Sequence, residues 1–378
     1  MTRLILIIIF FLISLLAVFK APAYYLWLLA IGVTEFPWLF IGIILILLSL
    51  GFWVQKYQLA SSLIGLVALI LFLTPIARAH IVAETLKQNF TAVFGADSTA
   101  IDGDNTQPPF SFLKMFKGNV KPVGMRTLTY AKYADTTMSL DFYPAHFDGK
   151  RPCVIVVHGG SWSSGDSQQV PELNPYLANA GYNVASINYR MAPKYQSPAP
   201  VEDIRNTLKY LREHADELKI DTGKFVLLGR SAGAQIALLA AYTLHDVDIK
   251  GVVDFYGPAD MVWGYSIPSN PLIMDSRKVM ENYLGVTYQK VPQNFVASSP
   301  LEFVDKTSVP TLIIHGDNDV IVSPEHSRRL NLKLQQNGIK HFWLKLPWAT
   351  HGFDFNLNGP GGQLSTYTVE RFIKTVCR

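Results

Sequence analysis

Three side chains far apart in this chain have the types needed to turn a hydroxyl into a nucleophile. Ser231 lies in Gly229-Arg230-Ser231-Ala232-Gly233, Asp319 in His315-Gly316-Asp317-Asn318-Asp319, and His351 in Thr350-His351-Gly352. Serine attacks a carbonyl weakly unless a base takes its proton, and histidine, which titrates near neutrality, suits that task. A carboxylate can orient the imidazole and stabilise its cation. Asp319 is preferred for that role; Asp317 competes, with an alternative as a turn residue bonding local backbone. His158 would precede the serine as a base and is read instead as holding its loop by hydrogen bonds. Its neighbours Gly159 and Gly160 sit at a strand's end, where backbone N–H groups can face an anionic oxygen, and the N–H of Ala232 completes that set.

These residues need elements that bring them together. Residues 225–228 form an apolar, strand-like run, and the stretch from Gln235 is dense in helix formers, so Ser231 stands on a sharp turn between strand and helix. Glycines two positions to either side remove side chains that would collide in so tight a bend. Residues 126–133 and 138–143 alternate as a β-hairpin does. The run 152–157 is continuously apolar, as a strand covered on both faces must be. Strands at 183–188, 225–228, 249–255, 311–315 and 341–346 then alternate with helices near 171–180, 201–218, 324–336 and 364–375. That alternation predicts an α/β fold with a mainly parallel sheet between helices and an antiparallel hairpin at one edge. It breaks down at 258–301, an insertion placed to wall or cover a pocket above the strands' carboxyl ends.

Together, His158-Gly-Gly-Ser-Trp, Asn188-Tyr-Arg-Met-Ala-Pro, Gly229-Arg-Ser-Ala-Gly, the Asp319 loop and Thr350-His351-Gly resemble the α/β-hydrolase fold. They look like the esterase and lipase branch related to hormone-sensitive lipase and the feruloyl-esterase-like enzymes, over residues 126 to the C-terminus. The resemblance implies Ser231 as nucleophile, His351 as base, Asp319 as its orienting acid, and main-chain N–H groups of Gly159, Gly160 and Ala232 around the oxyanion. It implies hydrolysis of a small-molecule or lipid-like carboxylic ester without metal or organic cofactor. Prenylcysteine methylesterases and kynurenine formamidases share these motifs, so an amidase or formamidase stays open, as does a catalytically silent hydrolase scaffold. Ser161 stands where relatives have a third glycine, and Arg230 where they often have an acid or histidine.

The 378 residues are 49% hydrophobic, and the excess is local. Residues 1–84 hold only Arg3, Lys20, Glu35, Lys56, Arg78 and Glu84 as charged side chains. Stretches 4–19, 37–54 and 59–77 predict three transmembrane helices, with aromatic residues near their ends. Two alternatives stand: a cleaved signal peptide with Ala21-Pro22-Ala23 as its site, or buried soluble helices. Lysine and arginine fall on both sides of the spans, and the free amino terminus tips the count toward a hydrolase domain outside. Residues 85–123 read as a linker or lid, with 93–109 irregular and 110–117 amphipathic; residues 124–378 form the catalytic domain. Beyond residue 84, 29 lysines and arginines face 27 acidic residues, a balance that excludes a nucleic-acid partner. Cys153 and Cys377 have no metal-ligand spacing and cannot build a disulfide framework.

Overall fold

Residues 1–53, 56–95, 107–117 and 120–378 are described by the computed structural model. Four helices come first: α1 (Thr2–Ser14), α2 (Tyr24–Glu35), α3 (Pro37–Ser49) and α4 (Gln58–Phe94). Three spans were expected, but among the described residues only α4, at 37 residues, is by itself long and apolar enough to cross a bilayer. α1 has 13 residues; at about 1.5 Å each it falls short of the ~30 Å hydrocarbon core. α2 and α3 reach that length only as a pair, and the pair bends by 86°. Pro37 opens the second helix of the pair, as expected of a residue with no N–H to continue the first. Arg3 is buried because its Nε donates to the Leu47 carbonyl at 2.8 Å, satisfying the C-terminal end of α3.

The far end of α2 meets protein. Glu35 Oε2 accepts the Gly361 N–H at 2.9 Å, and Asn356 Nδ2 donates to the Glu35 carbonyl at 2.8 Å. α4 likewise runs through the boundary expected at residue 84. Its Leu86, Phe90 and Phe94 are buried against the sheet's helical layer, with the Phe90 ring 5.4 Å from Phe342 and the Phe94 ring 5.5 Å from Phe372. Most of the expected irregular linker, 96–106, lies outside the described residues. The amphipathic stretch after it holds a 3-10 helix, Phe112–Phe116, pinned by paired hydrogen bonds between the Ser111 backbone and the Gln363 amide.

Eight strands build one sheet: β1 (Arg126–Lys132), β2 (Thr137–Tyr143), β3 (Arg151–Val157), β4 (Asn183–Ile187), β5 (Ile220–Arg230), β6 (Ile249–Phe255), β7 (Thr311–Gly316) and β8 (His341–Leu346). Their order is β1-β2-β4-β3-β5-β6-β7-β8. β2 runs antiparallel to both neighbours and every other pairing is parallel, as the hairpin and the alternation require. β5 starts earlier than its apolar run because Ile220 pairs with Arg151 ahead of a register irregularity, which the polar residues between disguise.

Between the strands come α5 (Leu173–Asn179), α6 (Ala199–Glu213), α7 (Ala215–Leu218) and α8 (Ala232–Thr243). The insertion after β6 carries α9 (Met261–Ser266), α10 (Ser276–Leu284) and α11 (Pro292–Ala297); α12 (Glu325–Gln336) and α13 (Pro360–Val376) finish the chain. The strands' two faces feed two cores. Cys153, Ile155 and Val157 of β3 face α6 and α8, while Val154 and Val156 face α5, α13 and the end of α4. Burial on both sides stiffens β5 directly before Ser231.

Candidate active site

Ser231 is the single residue between β5 and α8, with φ 53° and ψ −120°. A non-glycine residue held there stores strain on the order of 1–3 kcal/mol. The turn is locked from both sides: the Ser231 N–H donates to the Phe255 carbonyl on β6 at 2.9 Å, while its own carbonyl accepts the Ala234 N–H at 3.0 Å. A Cβ on Gly233 would collide with the carbonyls of Val157 and His158, and one on Gly229 with the start of α8. Both positions are therefore restricted to glycine by close backbone approach.

His351 Nε2 lies 2.9 Å from Ser231 Oγ, and its Nδ1 lies 2.7 Å from Asp319 Oδ2. The other Asp319 oxygen accepts the N–H groups of Ile321 and Val322 at 2.8 and 2.9 Å. Burial alone would raise this carboxyl, but the charges and hydrogen bonds of His351 and His315 outweigh it and hold it well below the usual carboxylate range. Asp317 is exposed and its side chain takes no part. A hydroxyl, an imidazole and an ionised carboxylate so connected can pass the serine proton to the ring.

A second imidazole went unsingled in the sequence. His315, at the end of β7, is buried, with Nε2 3.1 Å from Asp319 Oδ2 and 3.0 Å from the Val322 carbonyl, and Nδ1 2.6 Å from Ser327 Oγ. Facing two acceptors, Nε2 carries the hydrogen and donates to them. Its only signal was its place four residues before Asp319 in the same loop. Behind His351 stands Tyr256, its ring 4.3 Å from the imidazole and its hydroxyl bonded to Asp354. Asp354 also takes Arg230 Nε, so the cation beside the nucleophile is buried in an ion pair and turned from the serine's oxygen.

Asp254, near the end of β6, is fully buried, with Oδ1 accepting the Gly257 N–H at 2.7 Å. Burial pushes its carboxyl up to about 7, against the pull of that hydrogen bond and of His315. Since the folded value exceeds the unfolded one, the neutral acid contributes stability at low pH that is lost as pH rises toward that value. Asp254→Asn keeps the shape but cannot ionise. Its stability relative to wild type should rise from about pH 4 to about pH 8 by a few kcal/mol, read from melts across that range. A gap independent of pH would refute the assignment.

The glycine-rich loop corrects one expectation. The Gly159 N–H donates to Gln169 Oε1 at 2.6 Å, so it is occupied within the loop and does not serve the oxyanion in this arrangement. Gly160 has φ 114°, and a Cβ there would strike Ser164. The N–H groups of Gly160 and Ala232 enter no hydrogen bond among the described residues, and Ala232, as the first residue of α8, has no intrahelical acceptor. Ser161, with φ 54°, stands in the left-handed region that a third glycine would favour. His158 does hold the loop: its Nδ1 lies 2.7 Å from the Gly159 carbonyl and its ring stacks on Tyr189 at 4.3 Å. Trp162 clamps the loop to α8 through Nε1 and Gln235 Oε1 at 2.9 Å, and stacks on Tyr283 of α10 at 4.4 Å.

Ser231 opens into a cavity of about 460 Å³, a size suited to a small organic ligand. Its walls are mainly apolar, from the insertion (Ile267, Ile273, Met274, Met280) and the Asp319 loop (Val320, Ile321), with Ser161 and Ala232 beside the serine. No lining residue comes from the amphipathic stretch 110–117; three come from the segment joining α1 to α2. Among the described residues no three His, Cys, Asp or Glu side chains cluster in a way that could hold a metal ion.

The BD-FAE family profile matches residues 140–334, just over half of the chain. Esterase LipC of Mycobacterium tuberculosis is 28% identical over 244 residues, covering 60% of this chain and 59% of LipC. Carboxylesterase NlhH of the same organism is 27% identical over 245 residues, covering 63% of this chain and 71% of NlhH. A hyperthermophilic esterase from the archaeon Pyrobaculum calidifontis superposes with TM-score 0.58 at 21% identity, over 80% of this chain and 97% of that one. A bacterial heroin esterase gives 0.59 at 19%, over 78% and 92%. At such identities the structural likeness speaks for the fold. The α/β-hydrolase fold, the strand-turn-helix at Ser231 and the profile match agree: the chain belongs to the BD-FAE family.

Proposed function

We propose that this protein is a membrane-anchored serine hydrolase that cleaves carboxylic esters through an acyl-enzyme. One observation carries the reading: the unbroken connection from Asp319 Oδ2 to His351 Nδ1 and from His351 Nε2 to Ser231 Oγ, at 2.7 and 2.9 Å, beside an apolar cavity. Ser231 Oγ bonds to the ester carbon while its proton passes to His351 Nε2, and Asp319 stabilises the imidazolium. The carbonyl electron pair moves onto oxygen, which rests on the N–H groups of Gly160 and Ala232. When the carbonyl re-forms, the alcohol leaves with the proton from His351. Water, losing a proton to the same nitrogen, then releases the acid and restores the serine. The esterase names of the relatives LipC and NlhH agree with this chemistry.

Anchoring is assigned to α4, whose Leu59, Leu63, Leu66, Ile70 and Leu73 are exposed along one apolar stretch. Residues 1–84 then form the membrane-associated region, 124–378 the catalytic domain, and the insertion near 258–301 a lid. A fluorophosphonate probe should label the wild type, and p-nitrophenyl esters of increasing acyl length should protect against it in proportion to their turnover. Faster turnover of matched anilides or formamides than of esters would replace the ester reading by an amidase one. Folded protein that neither labels nor turns over any substrate would leave a silent scaffold.

A further inference from the structure

The segment joining α1 to α2 is part of the catalytic site's wall. Lys20, Ala21 and Pro22 line the same cavity as Ser231, next to the insertion. The segment and the first turn of α2 are tied to three separate loops of the catalytic domain. Asn318, in the Asp319 loop, donates through Nδ2 to the Val18 carbonyl at 3.2 Å. Asn270 of the insertion donates to the Pro22 carbonyl at 3.2 Å, and the Tyr24 N–H to the Leu272 carbonyl at 3.2 Å. Trp27 Nε1 donates to the carbonyl of His351 itself at 3.0 Å. A buried Ala21 and hydrogen bonds to each loop are what a built pocket wall requires; a tether merely passing by would leave them unmade.

Around this wall the surface is apolar and uncovered. Phe19 is 62% exposed and Tyr25 81% on the α1–α2 side, and Ile267 is 60% and Leu272 71% exposed on the insertion side. Exposed aromatic rings beside a lysine are the composition of a membrane interface, where ring and ammonium both sit at headgroup level. The rim is continuous along the chain with the outward faces of α1 and α2, where Ile8, Leu12, Leu26 and Leu28 are also exposed. A bilayer crossed by α4 is the one occupant that would cover the rim and these helical faces together.

We infer that the mouth of the active-site cavity rests on the bilayer surface, and that the substrate is a bilayer-resident ester whose apolar acyl chain enters past Ala21 and Pro22. This rests on the ester-hydrolase and anchoring readings above. It makes the α1–α2 segment a determinant of specificity, with Ala21 setting the width of the entrance.

The test uses the full chain reconstituted in phosphatidylcholine vesicles. One arm carries 4-methylumbelliferyl oleate in the same bilayer as the protein, a second carries it in separate, non-fusing vesicles, and a third supplies water-soluble p-nitrophenyl acetate. The same-bilayer arm should run at least about tenfold faster than the separate one, since sharing a surface raises effective concentration. Ala21→Trp should lower the ratio of kcat/KM for oleate to that for acetate about tenfold or more, the scale on which an apolar pocket discriminates chain size. Should Ala21→Trp no longer take the fluorophosphonate label, Ala21→Leu decides the same ratio. Equal oleate rates in both vesicle arrangements, or an unchanged ratio in a labelled variant, would overturn the inference. Acetate hydrolysis that vanishes in Ser231→Ala, with no same-bilayer preference, sinks bilayer access and leaves the esterase reading intact. Failure of the wild type to hydrolyse acetate or take the label removes both.

Discussion

Ser231→Ala should lose fluorophosphonate labelling and fall in kcat by about four to six powers of ten, with the fold retained. The alanine leaves the β5–α8 turn as it was, because the backbone bonds to Phe255 and Ala234 and the two close-packed glycines involve no serine oxygen. What disappears is the atom 2.9 Å from His351 Nε2. Water can still enter the cavity and meet that base, so a residue of turnover from the oxyanion donors and from binding should remain. The strain at φ 53° also stays, so melting should move little in either direction. Initial rates on p-nitrophenyl esters, with a melting curve on the same preparation, check both halves. Turnover within tenfold of wild type would place the nucleophile elsewhere.

Asp319→Asn should lower kcat by about three to four powers of ten with little change in KM, while Asp317→Asn should change neither by more than about twofold. The aspartate has a divided duty. Oδ1 holds the backbone N–H groups of Ile321 and Val322, and an asparagine oxygen can keep both. Oδ2 faces ring nitrogens of two histidines, His351 at 2.7 Å and His315 at 3.1 Å, where the amide nitrogen of asparagine presents hydrogens instead of lone pairs. His351 can then bond to it only by turning Nδ1 into an acceptor, which moves the ring's hydrogen to Nε2 and leaves nothing to take the serine proton. Folding should survive because the loop contacts do. Asp317, two residues earlier, is the control: it shares the loop and the charge but is exposed, and its backbone N–H donates to the Leu346 carbonyl. Equal losses in both variants would point to loop damage in place of a lost orienting carboxylate.

His315 sharpens that experiment. Its hydrogen bonds to Asp319 and the Val322 carbonyl, with Ser327 behind, give the buried carboxylate a second donor. Two imidazoles on one oxygen favour its ionised form strongly enough to overcome burial. The orienting charge thus persists into acid below the usual carboxylate range.

Much of this arrangement was written locally. The turn at Ser231 is a short-range problem: a β run, a residue that must project, and glycines where backbone meets backbone, all within about ten residues. The parallel sheet was legible for a related reason, since strands covered on both faces need continuous apolar runs and their alternation with helices leaves few topologies open. Asp319 and His351 were recognisable because each follows a strand of that sheet, and strand ends on one side must meet.

What chain order left open concerns partners distant in sequence. Whether a backbone N–H points at a substrate or at a glutamine cannot be told from glycine content, and Gln169 took the Gly159 donor. Hydropathy measures how apolar a helix is without saying what covers it, so α1, α3 and α4 all read as membrane spans. Packing gave the end of α2 to Gly361 and Asn356, carried α4 past residue 84 into the sheet's core, and placed Lys20 to Pro22 in the wall of the cavity that Ser231 opens into. Apolar side chains gain by leaving water whether protein or lipid receives them. Only the folded chain, by bringing particular surfaces within reach, decides between the two.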